Sequence, residues 1–255
     1  MDDRNQFIEI ILDELNLLKP KEAQALLDEV EERYYLFWHS VKWSWEEING
    51  LFSAQLCILK RRGCPKDILD ILTGKRGDVL AKVSEMGGVL KKNIPFLAVI
   101  PPDYMSLYNL MCMIHHDGGG SVDAPRVKPP IQRNMVEKPE EPYFLIDVED
   151  GRANLRKFGD RKVSFGKPRS RIISESIKGQ GRFLLTYYEG VALAILSGVL
   201  SRHYIRCSGS SCGIPEFGCD LSLNHQGTPT FGYAGEDSPT SPTARWGTPS
   251  CCSWI

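Results

Sequence analysis

The stretch Pro95–Tyr104, with the sequence PFLAVIPPDY, decides the fold class. Its first half is a short apolar run that two consecutive prolines end, a composition typical of a buried β-strand. The chain before it follows a helical pattern, whereas the chain after it contains further short apolar runs separated by loops. These patterns predict an α+β protein, with a helical bundle-like region over residues 1–93 and a compact mixed domain over residues 94–255.

The first region carries clear helix signals. Apolar residues recur at helical spacing in DDRNQFIEIILDELNLL, residues 2–18. The pair Ser44 and Glu47 matches an S-x-x-E capping box, and Gly63 is placed to end the helix that this box starts. We therefore expect a set of helices before residue 93.

In the second region, PYFLIDVEDG (residues 142–151) predicts another buried strand. A second capping box, Thr186 and Glu189, opens TYYEGVALAILSGVLSRHY, and this most apolar helix is expected to form the core of the mixed domain. From Cys207 onward small and polar residues dominate, but aromatic residues recur, which favours an ordered, coil-rich C-terminal part over a disordered one. We expect the tryptophans of the tail ARWGTPSCCSWI to anchor it to this domain.

Composition narrows the classes of function. The chain has 255 residues, eight cysteines and a formal net charge of −1, so it has no global attraction for nucleic acid or anionic lipid. No apolar run reaches the ~18 residues of a membrane span, and the acidic start MDDRNQFIEI resembles neither a signal nor a transit peptide. Cysteines without an export signal indicate a reducing compartment, so the prediction is a cytoplasmic protein. Its partner stays open: a protein is the candidate, and neither a membrane nor nucleic acid is expected. The basic stretch Arg152–Arg171 is expected to be a solvated loop rather than a nucleic-acid site.

Three of these stretches together resemble a family of uncharacterised bacterial proteins, over roughly residues 95–255. They are PYFLIDVEDG, GRFLLTYYEGVALAI and RWGTPSCCSW. In that family a VDVEDG-like strand precedes a helix of the pattern LT-x-x-EG-x-AL, and the chain closes on a WG-x-x-SC tail. The resemblance implies one ordered domain that includes the tail, and it implies no activity.

Two acidic residues and one histidine cluster are candidates for a catalytic metal site. Asp147 and Glu149 alternate along a predicted strand, so they are expected to share a face that could hold a divalent cation such as zinc or provide general acid–base groups. His115, His116 and Asp117 precede a Gly-rich turn and could complete such a site if the two strands are neighbours. The alternative is a solvated strand end and a hairpin turn. Gly151 stands where a nuclease-like pattern needs a lysine.

A zinc site is a further hypothesis in the coil-rich part, where thiolates and an imidazole could form a tetrahedral set. The spacings are four, six and five intervening residues, and only the first fits the usual zinc knuckle; the candidate ligands are Cys207, Cys212, Cys219 and His225. The alternative is that these cysteines are packing residues.

Cys251 and Cys252 are the candidates for a nucleophilic thiol. Such a thiol needs a base or a cation to lower its pKa, and Arg245 or His203 would have to fold close to it. The alternative is that both thiols are buried against the tail tryptophans.

Three functions follow from these candidates. The first is a binding or interaction module, because no catalytic motif is complete. The second is a metal-dependent hydrolase or nuclease-like enzyme that uses the His/Asp/Glu residues. The third is a thiol-based enzyme that uses Cys251 or Cys252.

Overall fold

The apolar run after Asn93 forms a strand, as its composition predicts. In the computed structural model of the chain, the residues described are 41–114, 126–127, 133–134, 137–152, 156–157, 169–201, 203–211, 218–223, 229–233 and 245–255. The strand β1 spans Ile94–Val99, and every residue after Ile94 in it is buried. Helices and strands both occur among the described residues, so the predicted α+β class is confirmed.

Among the described residues, three helices precede β1: α1 (Trp45–Arg61), α2 (Lys66–Gly74) and α3 (Arg76–Glu85). The predicted capping box starts α1, because the Ser44 and Glu47 side chains each accept a hydrogen bond from the backbone N–H of the other residue. Gly63 follows this helix with a φ of 88°, a conformation that favours glycine. The capping box and the terminating glycine of this helix are confirmed, whereas the helical pattern predicted over residues 2–18 lies outside the described residues.

In the described part of the chain after β1 there are three more α-helices: α4 (Leu107–Cys112), α5 (Arg169–Gly179) and α6 (Tyr187–Ser197). The capping box of Thr186 and Glu189 is present at the start of α6, and nine consecutive residues from Tyr187 are buried. The helix is shorter than predicted. Gly198 ends it in a left-handed conformation, and after a 3-10 turn (Val199–Ser201) the chain enters a strand.

The other strands among the described residues are mostly short. In chain order they are β2 (Arg126–Val127), β3 (Arg133–Asn134), β4 (Tyr143–Val148), β5 (Arg156–Lys157), β6 (Phe183–Leu184), β7 (Tyr204–Ser211), β8 (Gly218–Leu223), β9 (Pro229–Tyr233), β10 (Arg245–Gly247), β11 (Ser250–Cys251) and β12 (Ser253–Trp254).

These strands form three sheets. One has the order β1-β4-β12, the largest has the order β2-β9-β8-β7-β10-β5 with β3 on β7, and a small one pairs β11 with β6. Because β4 lies between β1 and the tail strand β12, it links β1 to the C-terminal tail within this sheet.

Helix α1 completes the outer edge of this first sheet with a side chain. Gln55 is buried, its amide donates to Phe96 O over 2.7 Å, and its carbonyl oxygen accepts from Ala98 N over 3.0 Å. The glutamine therefore satisfies the backbone of the edge strand that β4 leaves unpaired. Phe52 of the same helix stacks on Phe144 of β4, with ring centroids 5.3 Å apart.

The chain divides into two compact units, residues 1–42 with 90–92 and residues 43–89 with 93–255. In the first, an isolated antiparallel bridge joins Lys42 and Leu90. In the second, helices α1 to α3 share one hydrophobic core with β1, β4 and α6. The division into domains at residue 93 stays a prediction. Within the described residues, no helix is long and apolar enough to cross a membrane.

Candidate functional site

The C-terminal tail brings most of the described candidate residues together. Its strand β11 pairs with β6, so that Cys251 lies opposite Phe183, and β12 pairs with β4, so that Trp254 lies opposite Leu145. Between these two pairings Cys252 N donates to Ile146 O over 3.0 Å. The tail is therefore ordered against the mixed region, as the sequence predicted.

Arg182 connects the tail to β4 through all of its donor groups. Its Nη1 lies 2.7 Å from Asp147 Oδ2 and 3.0 Å from Cys252 Sγ, and its Nε donates to Ser250 Oγ over 2.9 Å. Its Nη2 donates to the carbonyl oxygens of Asp147 and Ser250, over 2.6 and 3.3 Å. We call these four residues the Arg182 clamp. A guanidinium has five N–H groups. The five contacts of Arg182 use all of them, so it has no donor left for a ligand.

The Asp147 carboxylate is surrounded by donors from the chain itself. Besides Arg182, the Cys252 thiol lies 2.9 Å from Oδ2 and Asn93 Nδ2 donates to Oδ1 over 2.6 Å. Burial alone raises the pKa of Asp147, but these hydrogen bonds and the Arg182 charge outweigh burial and hold the pKa below its ordinary value. Asp147 also has a φ of 52°, which is rare for a residue other than glycine.

The structure brings Asp147 and Glu149 together around the same tail segment. Ser250 Oγ, which accepts from Arg182, lies 3.4 Å from Glu149 Oε2. The positive charge next to Asp147 and Glu149 is therefore that of Arg182. The other proposed members of this site, His115, His116 and Asp117, lie outside the described residues. A His/Asp/Glu metal site stays a prediction.

The turn after Glu149 is fixed by close backbone packing. Gly151 has a φ of 90°, and a Cβ placed there would lie 2.8 Å from the backbone of Gly247 and Thr248. The Asp150 carboxylate caps the turn by accepting from Arg152 N over 2.9 Å. The Asp-Gly pair is therefore required by a tight turn against β10, rather than by a solvated strand end.

Both tail cysteines are held as neutral thiols. Burial, followed by the hydrogen bond to Asp147, raises the pKa of Cys252 to about 11. Burial, followed by the charge of Glu189, raises the pKa of Cys251 to about 12. The positive charge of Arg182 opposes both shifts without reversing them. Because a nucleophilic cysteine acts as its thiolate, this environment disfavours attack by either sulfur at neutral pH. The thiol-based enzyme stays a prediction.

The cysteine-rich candidate is described only in part. Cys207 lies in β7 opposite Cys219 of β8, and its fully buried sulfur packs against Gly190 of α6. Cys212 and His225 lie outside the described residues, as does the side chain of Cys219. Within the residues that the structure describes, no three His, Cys, Asp or Glu side chains converge on a metal position. The zinc hypothesis stays a prediction.

A second cluster surrounds Lys138. The Lys138 ammonium is 2.9 Å from Glu189 Oε1, and their side chains are 6% and 0% exposed. The same nitrogen lies 3.9 Å from the ring centroid of Trp254 and 6.0 Å from that of Phe183. Tyr143 Oη donates to Glu189 Oε1 over 2.8 Å, and burial, followed by the Glu189 charge, raises the pKa of that phenol. We call these five residues the Lys138 pocket.

Sequence reasoning did not single out Lys138, Arg182 or Asn93 for any role. Each is a common polar residue to which no motif assigned a role, although Arg182 lies in the quoted stretch GRFLLTYYEGVALAI. Its importance comes from partners at least 35 positions away in the sequence, as does that of the other two. One signal was available for the pocket: Glu189 was identified as a capping residue, and its carboxylate does accept from Thr186 N over 2.6 Å.

No protein-family model matches the chain, and neither the curated proteins nor the solved structures yield a significant match. The candidate function therefore rests on the geometry of the chain itself.

Proposed function

We propose that this chain is a binding module for a protein partner, and that the aromatic edge formed by Phe183 and Trp254 is part of its contact surface. The observation that carries the proposal is this pair. Phe183 is 36% exposed, although its ring packs edge to face against Trp254 with centroids 4.8 Å apart. Aromatic side chains are enriched at the centres of protein interfaces.

The backbone that carries Phe183 is held in place by its neighbours. Phe183 lies in β6, which pairs with the tail, and the preceding residue is the fully engaged Arg182. A partner that covers the ring would have little chain to order, and ordering is one of the main costs of association.

The contacts of the candidate catalytic groups Asp147, Cys251 and Cys252 also favour a binding function over a catalytic one. The Asp147 carboxylate is neutralised by Arg182, and the two tail thiols have raised pKa values. These groups hold the tail in place. We further propose a cytoplasmic setting, where thiols stay reduced, and membership of the uncharacterised bacterial family that the sequence resembles.

The proposal can be tested with a photocrosslinking amino acid, p-benzoylphenylalanine, placed at position 183 in cells that express the chain. The matched control is position 108, because Tyr108 is another exposed aromatic side chain, at 47%. We expect a discrete adduct from position 183 that position 108 does not give.

The adduct partner would then be purified and its affinity measured by calorimetry. We expect F183A to weaken binding by about tenfold or more, the size typical of an interface hot spot, and Y108A to leave it unchanged. The absence of a specific adduct at position 183, or equal affinity of F183A and the unmodified chain, would contradict the proposal.

A further inference from the structure

The Lys138 side chain is buried in the way a bound ligand would be. Only 6% of it is exposed, and its ammonium lies against the Trp254 ring face and the Glu189 carboxylate. Lysine side chains almost never become fully buried unless they are paired. The pocket therefore supplies an environment in which a desolvated primary ammonium is stable.

The ammonium is held by charge and by ring faces. Although it lies 2.9 Å from Glu189 Oε1, none of its N–H groups makes a directed hydrogen bond to a residue that the structure describes. An ammonium within about 6 Å of a ring centroid is attracted by the ring quadrupole, most strongly for tryptophan. Two rings and one carboxylate are the elements by which proteins recognise alkylammonium ligands.

The negatively charged wall of the pocket does not depend on Lys138. The Glu189 carboxylate is fixed by Thr186 N at 2.6 Å and Tyr143 Oη at 2.8 Å, in the first turn of α6. The aromatic wall is fixed by the pairing of β11 with β6 and of β12 with β4. If Lys138 left, a preformed site for a cation would remain.

We infer that the Lys138 pocket is an ammonium-binding site in which Lys138 is the resident occupant, and that a lysine side chain of a basic partner segment takes its place. This inference rests on the proposed binding function and names the chemistry of its partner. The resident group shows which ligand fits: a primary ammonium on an unbranched alkyl chain.

The charge around the pocket fits a basic partner. The segment that carries Lys138 also carries three exposed glutamates, Glu137, Glu140 and Glu141. Complementary charge of this kind speeds association with a cationic segment and orients it. Displacement of Lys138 has a cost, because a tethered group acts at an effective concentration on the order of millimolar. Free ammonium therefore binds the unmodified chain weakly.

The first experiment opens the pocket. K138A removes three methylene groups and the ammonium, so n-propylammonium is the matching probe. We expect it to raise the melting temperature of K138A, and to bind K138A at least about tenfold more tightly than the unmodified chain, because the tethered competitor is gone. Sodium chloride at equal ionic strength and n-propanol are the controls, and K138A/E189Q should not respond. A response no larger than that to sodium chloride overturns the inference.

The second experiment uses the unmodified chain and so does not depend on K138A folding. With ¹³C-labelled lysine, the CεH₂ signal of Lys138 should be shifted upfield by the Trp254 ring, and K138R identifies that signal. We expect an unlabelled peptide of alternating lysine and glycine to move it to the position of an exposed lysine. The same peptide with acetylated lysines should leave it in place. A Lys138 signal that stays upfield at saturating lysine peptide overturns the exchange.

Failure of this inference and failure of the proposed function give different results. If position 183 crosslinks a partner but the Lys138 signal never moves, the chain is a binding module whose pocket is permanently closed by an internal ion pair. If propylammonium binds K138A but no partner contacts position 183, the pocket is an ammonium site without the proposed protein partner.

Discussion

The Cys252 thiol lies 2.9 Å from the Asp147 carboxylate, and Arg182 contacts both groups. This relationship changes the meaning of two residues that the sequence offered as separate catalytic candidates. The carboxylate accepts a hydrogen bond from the neutral thiol, and the guanidinium neutralises the carboxylate, so the three groups form one connection between β4 and the tail.

We expect loss of the arginine to be costly. R182M would leave the Asp147 charge largely buried without its partner, which typically lowers the free energy of unfolding by about 3–5 kcal/mol. Urea denaturation of R182M, D147N and the double variant measures this. The double variant should cost less than the sum of the two single changes, whereas additive costs would show that the ion pair contributes nothing specific.

Acid should destabilise the protein through Asp147. Its pKa is lower in the folded chain than its ordinary value of 3.8, so its contribution to stability is full above that value and is lost as pH falls through the lower, folded pKa. The free energy of unfolding, measured between about pH 6 and pH 2, should therefore fall less steeply in D147N. An identical acid slope in both proteins would contradict the prediction.

Alkali should act on the tail thiols with the opposite sign. Their pKa values rise from 9.0 to about 12 for Cys251 and about 11 for Cys252. Their stabilising contribution is present below pH 9 and is lost as pH rises toward these values. We expect both to react slowly with a thiol reagent at neutral pH, and C251S/C252S to lose less stability at high pH. Rapid labelling of either thiol in the folded protein at pH 7 would favour the thiol-enzyme hypothesis.

The Gly151 turn permits a test with a matched control. Gly151 and Gly63 have φ values of 90° and 88°, but a Cβ at Gly63 meets nothing within 4 Å, whereas one at Gly151 would lie 2.8 Å from backbone atoms. G63A should cost about 1–2 kcal/mol for its φ alone. G151A should cost clearly more in thermal or urea unfolding, because β10 would have to move. Equal costs would mean that the tail backbone yields easily at this point.

Removal of the tail should destabilise the mixed region. Deletion of Trp246–Ile255 takes away β11 and β12 together with the tail partners of Arg182, so we expect a lower melting temperature. W254A is a milder test, and W45A is its control because Trp45 is 54% exposed. The control should change stability by no more than about 0.5 kcal/mol. A truncated chain that melts with the full one would show that the tail is not a core element.

Local signals predicted the local structure well. Both capping boxes and the glycine after α1 were readable because a helix end depends on groups within a few residues. The same reasoning overextended α6, because the apolar residues after Gly198 that suggested a longer helix form the 3-10 turn Val199–Ser201 instead, before β7 begins at Tyr204. An apolar sequence indicates burial more directly than it indicates the type of element.

The candidate sites were less predictable. Alternation along a strand predicted a shared face for Asp147 and Glu149. In the structure both side chains contact the tail, at Cys252 and Ser250, but regular alternation does not extend over both residues, because Asp147 has a φ of 52° and Glu149 follows the end of β4. The pairing of Arg182 with Asp147 could not be anticipated, because the sequence contains many carboxylates and does not show which of them the fold brings to this arginine. Lys138 was hidden for the same reason.

By itself, the sequence determined the α+β class, the helix starts and the burial of an ordered tail, since each depends on local hydrogen bonding or on hydrophobic composition. The tertiary structure alone decided which charges meet. It placed Arg182 on Asp147 and Lys138 on Glu189, and pairings between distant parts of the chain are set by packing and register, which no short stretch of sequence records.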